Sequence, residues 1–235
     1  MSAERPARQL PLDFPVRPSF APEDFLVGAS NKAALDIVER WPDWPDPVLV
    51  LAGPEGSGKS HLAAMWAARA GGRVLPAGAI GSEAVPDLAG YPALVVEDAD
   101  RGLTDEAGLF HLINARRGGG LPLLLTARGA PDRWGLTTAD LLSRLRLAPL
   151  VEIGAPDDSL LRAVLVKLFL DRQLVVDTGV IDYLATRAER SLAAARAIVE
   201  ALDREALSHG RRPTRALAAG LLASMEPTEE ESDPG

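Results

Sequence analysis

The sequence predicts an α/β fold in which a parallel sheet flanked by helices is followed by a small all-helical domain. Three observations predict it. From Val48 onward short apolar runs alternate with longer stretches of helical periodicity; no strand-like run follows Ile153; and from Asp157 to about Met225 apolar residues recur at helical spacing. The runs Val48 to Ala52, Ala93 to Val96, Leu121 to Thr126 and Leu150 to Ile153 read as buried strands, with a weaker candidate at Arg73 to Leu75.

Taken in order, residues 1 to 18 form an arm ahead of the α/β domain. Pro6, Pro11, Pro15, Pro18 and Pro22 deny this stretch a helix, so an extended course is expected. Residues 19 to 155 make the α/β domain and residues 156 to 225 the helical one. Asp157 or Asp158 can cap a helix that carries Leu160, Leu161, Val164, Leu165 and Leu168 on one face. Helical stretches at about 177 to 188 and 191 to 208 follow, and Pro213 suits the start of a last one. Residues 226 to 235, EPTEEESDPG, lack apolar side chains and are expected to be a disordered acidic tail.

Composition excludes several classes of function. With 47% hydrophobic and 25% charged residues the chain has an ordinary globular make-up. No apolar run nears the ~18 residues of a membrane span, and the N-terminus carries no secretory signal, so a cytoplasmic location is expected. There is no cysteine, and the three histidines His61, His111 and His209 are far apart, which removes thiol nucleophiles and most zinc sites. The net charge is −8, of which Glu226, Glu229, Glu230, Glu231 and Asp233 supply five, leaving −3 for the rest. That balance does not suit a protein held on DNA by bulk electrostatics.

The most informative segment is GPEGSGKS, residues 53 to 60, a GxxxxGK[ST] phosphate loop placed between a strand and a helix. Gly53, Gly56 and Gly58 permit a turn whose backbone N–H groups, with those of Glu55 and Ser57, face phosphate oxygens. Lys59 then reaches the outer phosphates, Ser60 offers its hydroxyl to a magnesium ion, and Pro54 and His61 are counted with the loop as nucleotide-binding residues. LVVED, residues 94 to 98, supplies carboxylates at a neighbouring strand end. If Glu97 holds the metal, the shorter Asp98 must polarise the attacking water. If Asp98 holds the metal, Ala99 follows and no base remains.

Together these parts, from residue 18 to about 225, resemble an AAA+ nucleotide-binding module with its helical lid, and within AAA+ the bacterial initiator DnaA and DnaA-related regulators. SFAPEDFLVGASNKAAL, residues 19 to 35, resembles the segment that covers the adenine in that family, with Phe25, Val27, Gly28 and Asn31 at matching places. LLLTARGAP, residues 123 to 131, resembles the sensor 1 strand, which puts Thr126 near the γ-phosphate. DLLSRLRLAPLVEI, residues 140 to 153, resembles the box that holds an arginine finger, with Arg144 in the finger position, acting in trans. Aligned on LDREAL, the lid has Ala193 where the family has its sensor 2 arginine. Arg190 lies one turn before and Arg196 three residues after, and Arg190 is taken as the sensor. The resemblance implies ADP or ATP with Mg2+ as cofactors.

The arm contains QLPLDF, residues 9 to 14, which matches the QLxLxF peptide by which replication proteins bind the sliding clamp, the DNA polymerase III beta subunit. Gln9, Leu10, Leu12 and Phe14 would contact that partner, and DNA would be reached only through the clamp. The chain ends about ten residues after the lid, where the initiator continues into its helix-turn-helix domain. The resemblance therefore implies a regulator that stimulates hydrolysis of DnaA-bound ATP, with weak or no turnover of its own and a possible homo-oligomer. A helicase loader of the AAA+ type and a small-molecule P-loop kinase are the alternatives.

Overall fold

The protein is described here by a computed structural model covering residues 20–209 and 212–225. The clamp-type peptide with Gln9, Leu10, Leu12 and Phe14, and the acidic tail from Glu226, lie outside the described residues. In chain order the elements are α1 (Lys32–Glu39), β1 (Val48–Ala52), α2 (Lys59–Ala70), β2 (Arg73–Pro76), α3 (Val85–Ala89), β3 (Leu94–Glu97), α4 (Glu106–Gly118), β4 (Leu123–Ala127), α5 (Ala139–Arg146) and β5 (Leu150–Glu152). The helical part follows as α6 (Asp158–Asp171), α7 (Thr178–Arg187), α8 (Leu192–His209) and α9 (Arg215–Met225).

The strands pair in parallel as one sheet of order β2-β3-β4-β1-β5. The β1, β3 and β4 runs are continuous because both faces are covered, whereas Leu150 to Ile153, read as a buried strand, forms the edge strand β5 with Leu150 and Glu152 exposed, since only one of its sides is paired. Val48, Val50, Leu94, Val96, Leu123 and Leu125 pack against α3, α4 and α5, whereas Leu49, Leu51, Val95 and Leu124 pack against α1 and α2. Strand limits depart from the apolar runs where backbone bonding does. β4 begins at Leu123 because Pro122 has no N–H to give, and its carbonyl instead accepts from Leu94 N–H at 3.2 Å. Ile153 lies just past β5 yet still donates to the Ala52 carbonyl at 2.8 Å.

The lid has its own core of Leu161, Leu165, Phe169, Leu184, Ile198, Val199, Leu202 and Ala218. Its helices begin where short polar side chains take up free N–H groups: Asp157 accepts from Leu160, Asp177 from Gly179 and Thr214 from Leu217. No described helix is long and apolar enough to cross a membrane.

Candidate functional site

The site begins where β1 ends, between β4 and the edge strand β5. Gly53 N–H donates to the Ala127 carbonyl of β4 at 3.1 Å, and the chain then turns through the phosphate loop into α2. At Gly53 a β-carbon would stand 2.5 Å from the Ile153 carbonyl oxygen, so this corner admits only glycine. Gly56 has φ +70°, and a β-carbon there would strike Ser191 Oγ and lie 2.7 Å from Ala193 Cβ. The lid is therefore seated on the loop. Leu192 N–H donates to the Gly56 carbonyl at 3.0 Å, while Ser191 Oγ accepts from Ala193 and Ala194 at 3.2 and 3.3 Å and caps α8.

Lys59 is buried and its Nζ donates to the carbonyls of Gly53 and Pro54 at 2.8 and 2.9 Å. Burial lowers its pKa, against the charges of Asp98 and Asp100, which raise it. Ser57 is buried with its Oγ unpartnered, whereas Ser60 and Glu55 are exposed. Glu55 is ion-paired with Arg128 and lies 4.0 Å from Arg101. Arg128, Arg101 and Asp100 were not singled out in the sequence, although Arg128 lies within the sensor-like segment 123 to 131, and the sheet order brings them to the loop.

At the ends of β3 and β4 the carboxylates are unequal. Glu97 is half-buried at the strand end, and the next residue, Asp98, is exposed with φ +53°, a conformation that aspartate tolerates better than most side chains. Asp98 N–H donates to Thr126 Oγ1 at 3.0 Å and Ala99 N–H to the Thr126 carbonyl at 2.8 Å. Thr126 thus braces the turn that aims the carboxylates. Asp100 Oδ2 accepts from Arg128 N–H at 2.9 Å, and its Oδ1 is buried without a partner.

The segment before α1 closes one side. Asn31, 1% exposed, accepts from Gly28 N–H at 2.8 Å and donates to the Leu26 carbonyl at 2.9 Å. Gly28 rests on Leu160 of α6, and Val27 stands 53% exposed. His61 lies beneath, within 3.0 Å of the Ala21 carbonyl and edge-on to Phe20 and Phe25. Gly58 sits between Phe25 and Leu192.

Two residues chosen from the sequence are not brought to the loop. Arg190 is exposed and pairs with Asp158 at 2.8 Å, while Ala193 takes the seat on Gly56. Arg144 is exposed on α5, which packs on the sheet face opposite α2, and its guanidinium has no hydrogen-bond or ion-pair partner among the described residues. Chemically the arrangement is a cradle for a phosphate-sized anion: a glycine-rich turn, a helix start and a buried ammonium, with carboxylates close by.

No protein-family profile matches the chain, and no curated protein matches it. Solved structures do match. Domain III of the replication initiation protein DnaA from Thermotoga maritima superposes with a TM-score of 0.75 at 18% identity, over 90% of this chain and 98% of that one. AMPPCP-bound DnaA from Aquifex aeolicus gives 0.69 at 19% identity, over 84% and 68%. The RuvB Holliday junction branch migration motor of Thermotoga maritima gives 0.65 at 17%, over 84% and 70%. With its five-stranded parallel sheet flanked by helices and its helical C-terminal part, the chain thus has the fold of DnaA domain III and of RuvB.

Proposed function

We propose that this chain is a nucleotide-binding regulator of the Hda type, which carries ADP with Mg2+, docks on the DNA-loaded sliding clamp and promotes hydrolysis of ATP held by DnaA. The observation that carries the reading is the loop GPEGSGKS with Lys59 buried at its centre and the lid seated on Gly56. The DnaA structure matched above was bound to AMPPCP, which supports an adenine nucleotide at the corresponding loop. Lys59 and the loop N–H groups would hold the phosphates, and the segment carrying Val27 and Gly28 would cover the base.

The residues fit a magnesium ion of the kind that phosphates bring with them. Ser60 presents a free hydroxyl at the start of α2, Glu97 and Asp98 end β3, and Asp100 keeps a buried oxygen without a partner. Such an ion supplies charge neutralisation at the phosphates. Asp98 is the carboxylate whose charge acts most on Lys59, but its short side chain and its fixed backbone suit weak turnover at most. Arg144, exposed and unpaired on the opposite face, is available to a partner's nucleotide, where a guanidinium stabilises the charge that develops in transfer.

The test is phosphate release from ATP on DnaA, with DNA-loaded clamp and this protein added as wild type, Arg144→Ala or a chain beginning at Val16. Wild type is expected to accelerate hydrolysis. Arg144→Ala should lose that effect by ~10³-fold or more while still binding clamp and ADP. The shortened chain should lose the clamp. A wild-type protein that binds ADP but neither clamp nor DnaA overturns the regulatory role, and full activity of Arg144→Ala overturns the finger.

A further inference from the structure

We propose that Glu55 acts as a resident anion of the phosphate loop, which makes the site favour nucleoside diphosphates over triphosphates, with Arg128 as the cation the two compete for. The inference rests on the nucleotide-binding reading above and names the residues that set its selectivity.

Glu55 is the third residue of the loop and the only one of its eight residues that carries a negative charge. Its carboxylate is ion-paired with Arg128, which follows β4, and lies 4.0 Å from Arg101, which follows β3. These groups are close enough to the buried ammonium to matter there: Lys59 feels the charges of Asp98, Asp100, Arg128 and Glu55. In a loop of this pattern the lysine is the group that reaches the outer phosphates. Whatever Lys59 binds last therefore meets three carboxylates and Arg128.

A third phosphate adds negative charge at that place, and among the described residues those of the lid that sit on the loop carry no charge to offset it. The lid residues seated on the loop are Ser191, Leu192 and Ala193, and Arg190 is held by Asp158. The terminal phosphate must then draw on Arg128, which Glu55 already engages. If the phosphate takes the guanidinium, Glu55 is left facing a like charge; if it does not, the phosphate is left short of a donor. A diphosphate needs no such exchange. Like-charge opposition over a few ångströms at a partly exposed site changes an affinity by about tenfold.

The full chain is titrated with ADP and with ATP, each with magnesium, as wild type, Glu55→Gln, Arg128→Ala and the double variant. Wild type should bind ADP more tightly than ATP. Glu55→Gln keeps the size and removes the charge, and because Glu55 is three-quarters exposed the fold should be unaffected. It should narrow the ADP-to-ATP affinity ratio about tenfold, chiefly through tighter ATP binding. Arg128→Ala should widen the ratio, and in the double variant the gain for ATP should vanish. Opposite shifts from two partners of one ion pair are not expected from general damage to the loop. An unchanged ratio in Glu55→Gln overturns the inference while leaving nucleotide binding intact. If wild type binds neither nucleotide, the nucleotide reading falls and the inference falls with it.

Discussion

Arg116 illustrates what a single residue can do outside the candidate site. It is fully buried on α4, and its guanidinium donates to the carbonyls of Ala89, Tyr91 and Pro122 with no carboxylate beside it. Burial pushes its pKa down to about 10, which still leaves it charged at neutral pH. The Tyr91 and Pro122 carbonyls lie in the connections entering β3 and β4 and the Ala89 carbonyl at the end of α3, so this one side chain ties together the starts of the two strands that carry Glu97 and Thr126. Arg116→Met fills much of the volume but leaves those carbonyls unmet. It should cost about 3 kcal/mol in urea unfolding, read as a lower midpoint at unchanged slope. A change within error would mean that water replaces the guanidinium without loss.

At the scale of elements, α4 grips α5 at both ends. Glu106 in the first turn of α4 accepts from Thr137 N–H at 2.9 Å and Thr138 N–H at 2.7 Å, ahead of α5, while Arg117 in the last turn donates to the Arg144 carbonyl at 3.0 Å. Asp105 caps α4 by accepting from Gly108 N–H at 2.8 Å, and also accepts from Ser82. Donated hydrogen bonds hold both carboxyls low. The side-chain bond from Ser82 and the backbone bonds bring Asp105 from 3.8 to about 2, and those from Thr138 and Thr137 bring Glu106 from 4.5 to about 2.

Because both folded values lie below the unfolded ones, the stabilisation is fully present above about pH 4.5 and is lost as pH falls through 4 towards 2. Melting temperature should therefore hold level from pH 7 to 5 and drop below it. Glu106→Gln should lower the plateau and flatten the drop. An acid limb as steep as that of wild type would show that Glu106 is not among the groups responsible.

Across the whole molecule, the lid and the sheet are joined at several separate points. Leu192 bonds Gly56, Gly28 rests on Leu160, and Lys167 of α6 pairs with Asp24 at 2.7 Å. A ligand in the loop should thus stabilise both parts together. With ADP and magnesium at about one hundred times Kd, calorimetry should find one transition raised by about 2.7 kcal/mol of binding free energy. Lys59→Ala should lose most of that rise, since it removes a charge-assisted phosphate contact. Two transitions, with only one moved by ADP, would mean that the lid and the sheet unfold independently.

What the sequence determined by itself is what local chemistry determines. The loop was legible because glycines, lysine and serine act through contiguous backbone geometry, and β1, β3 and β4 because strands covered on both faces must be apolar throughout. β2 was faint for the converse reason: it is an edge strand, and of its residues only Leu75 is buried. A cap of α6 at Asp157 or Asp158 was likewise readable, since capping spans only three residues, and the structure selects Asp157.

Only the tertiary structure decided which distant groups share one field. The order β3-β4-β1 puts Asp98, Asp100 and Arg128 around Lys59 and Glu55, although Asp98 and its partner Thr126, like Asp100 and Arg128, stand 28 positions apart in the chain. Ala193 meets Gly56 and Arg190 meets Asp158 for the same reason, because the lid returns to the loop only after its core of Leu161, Phe169 and Ile198 has closed. Electrostatic and packing partners are fixed by distance through space, and a linear pattern carries no record of that distance once a crossover helix intervenes.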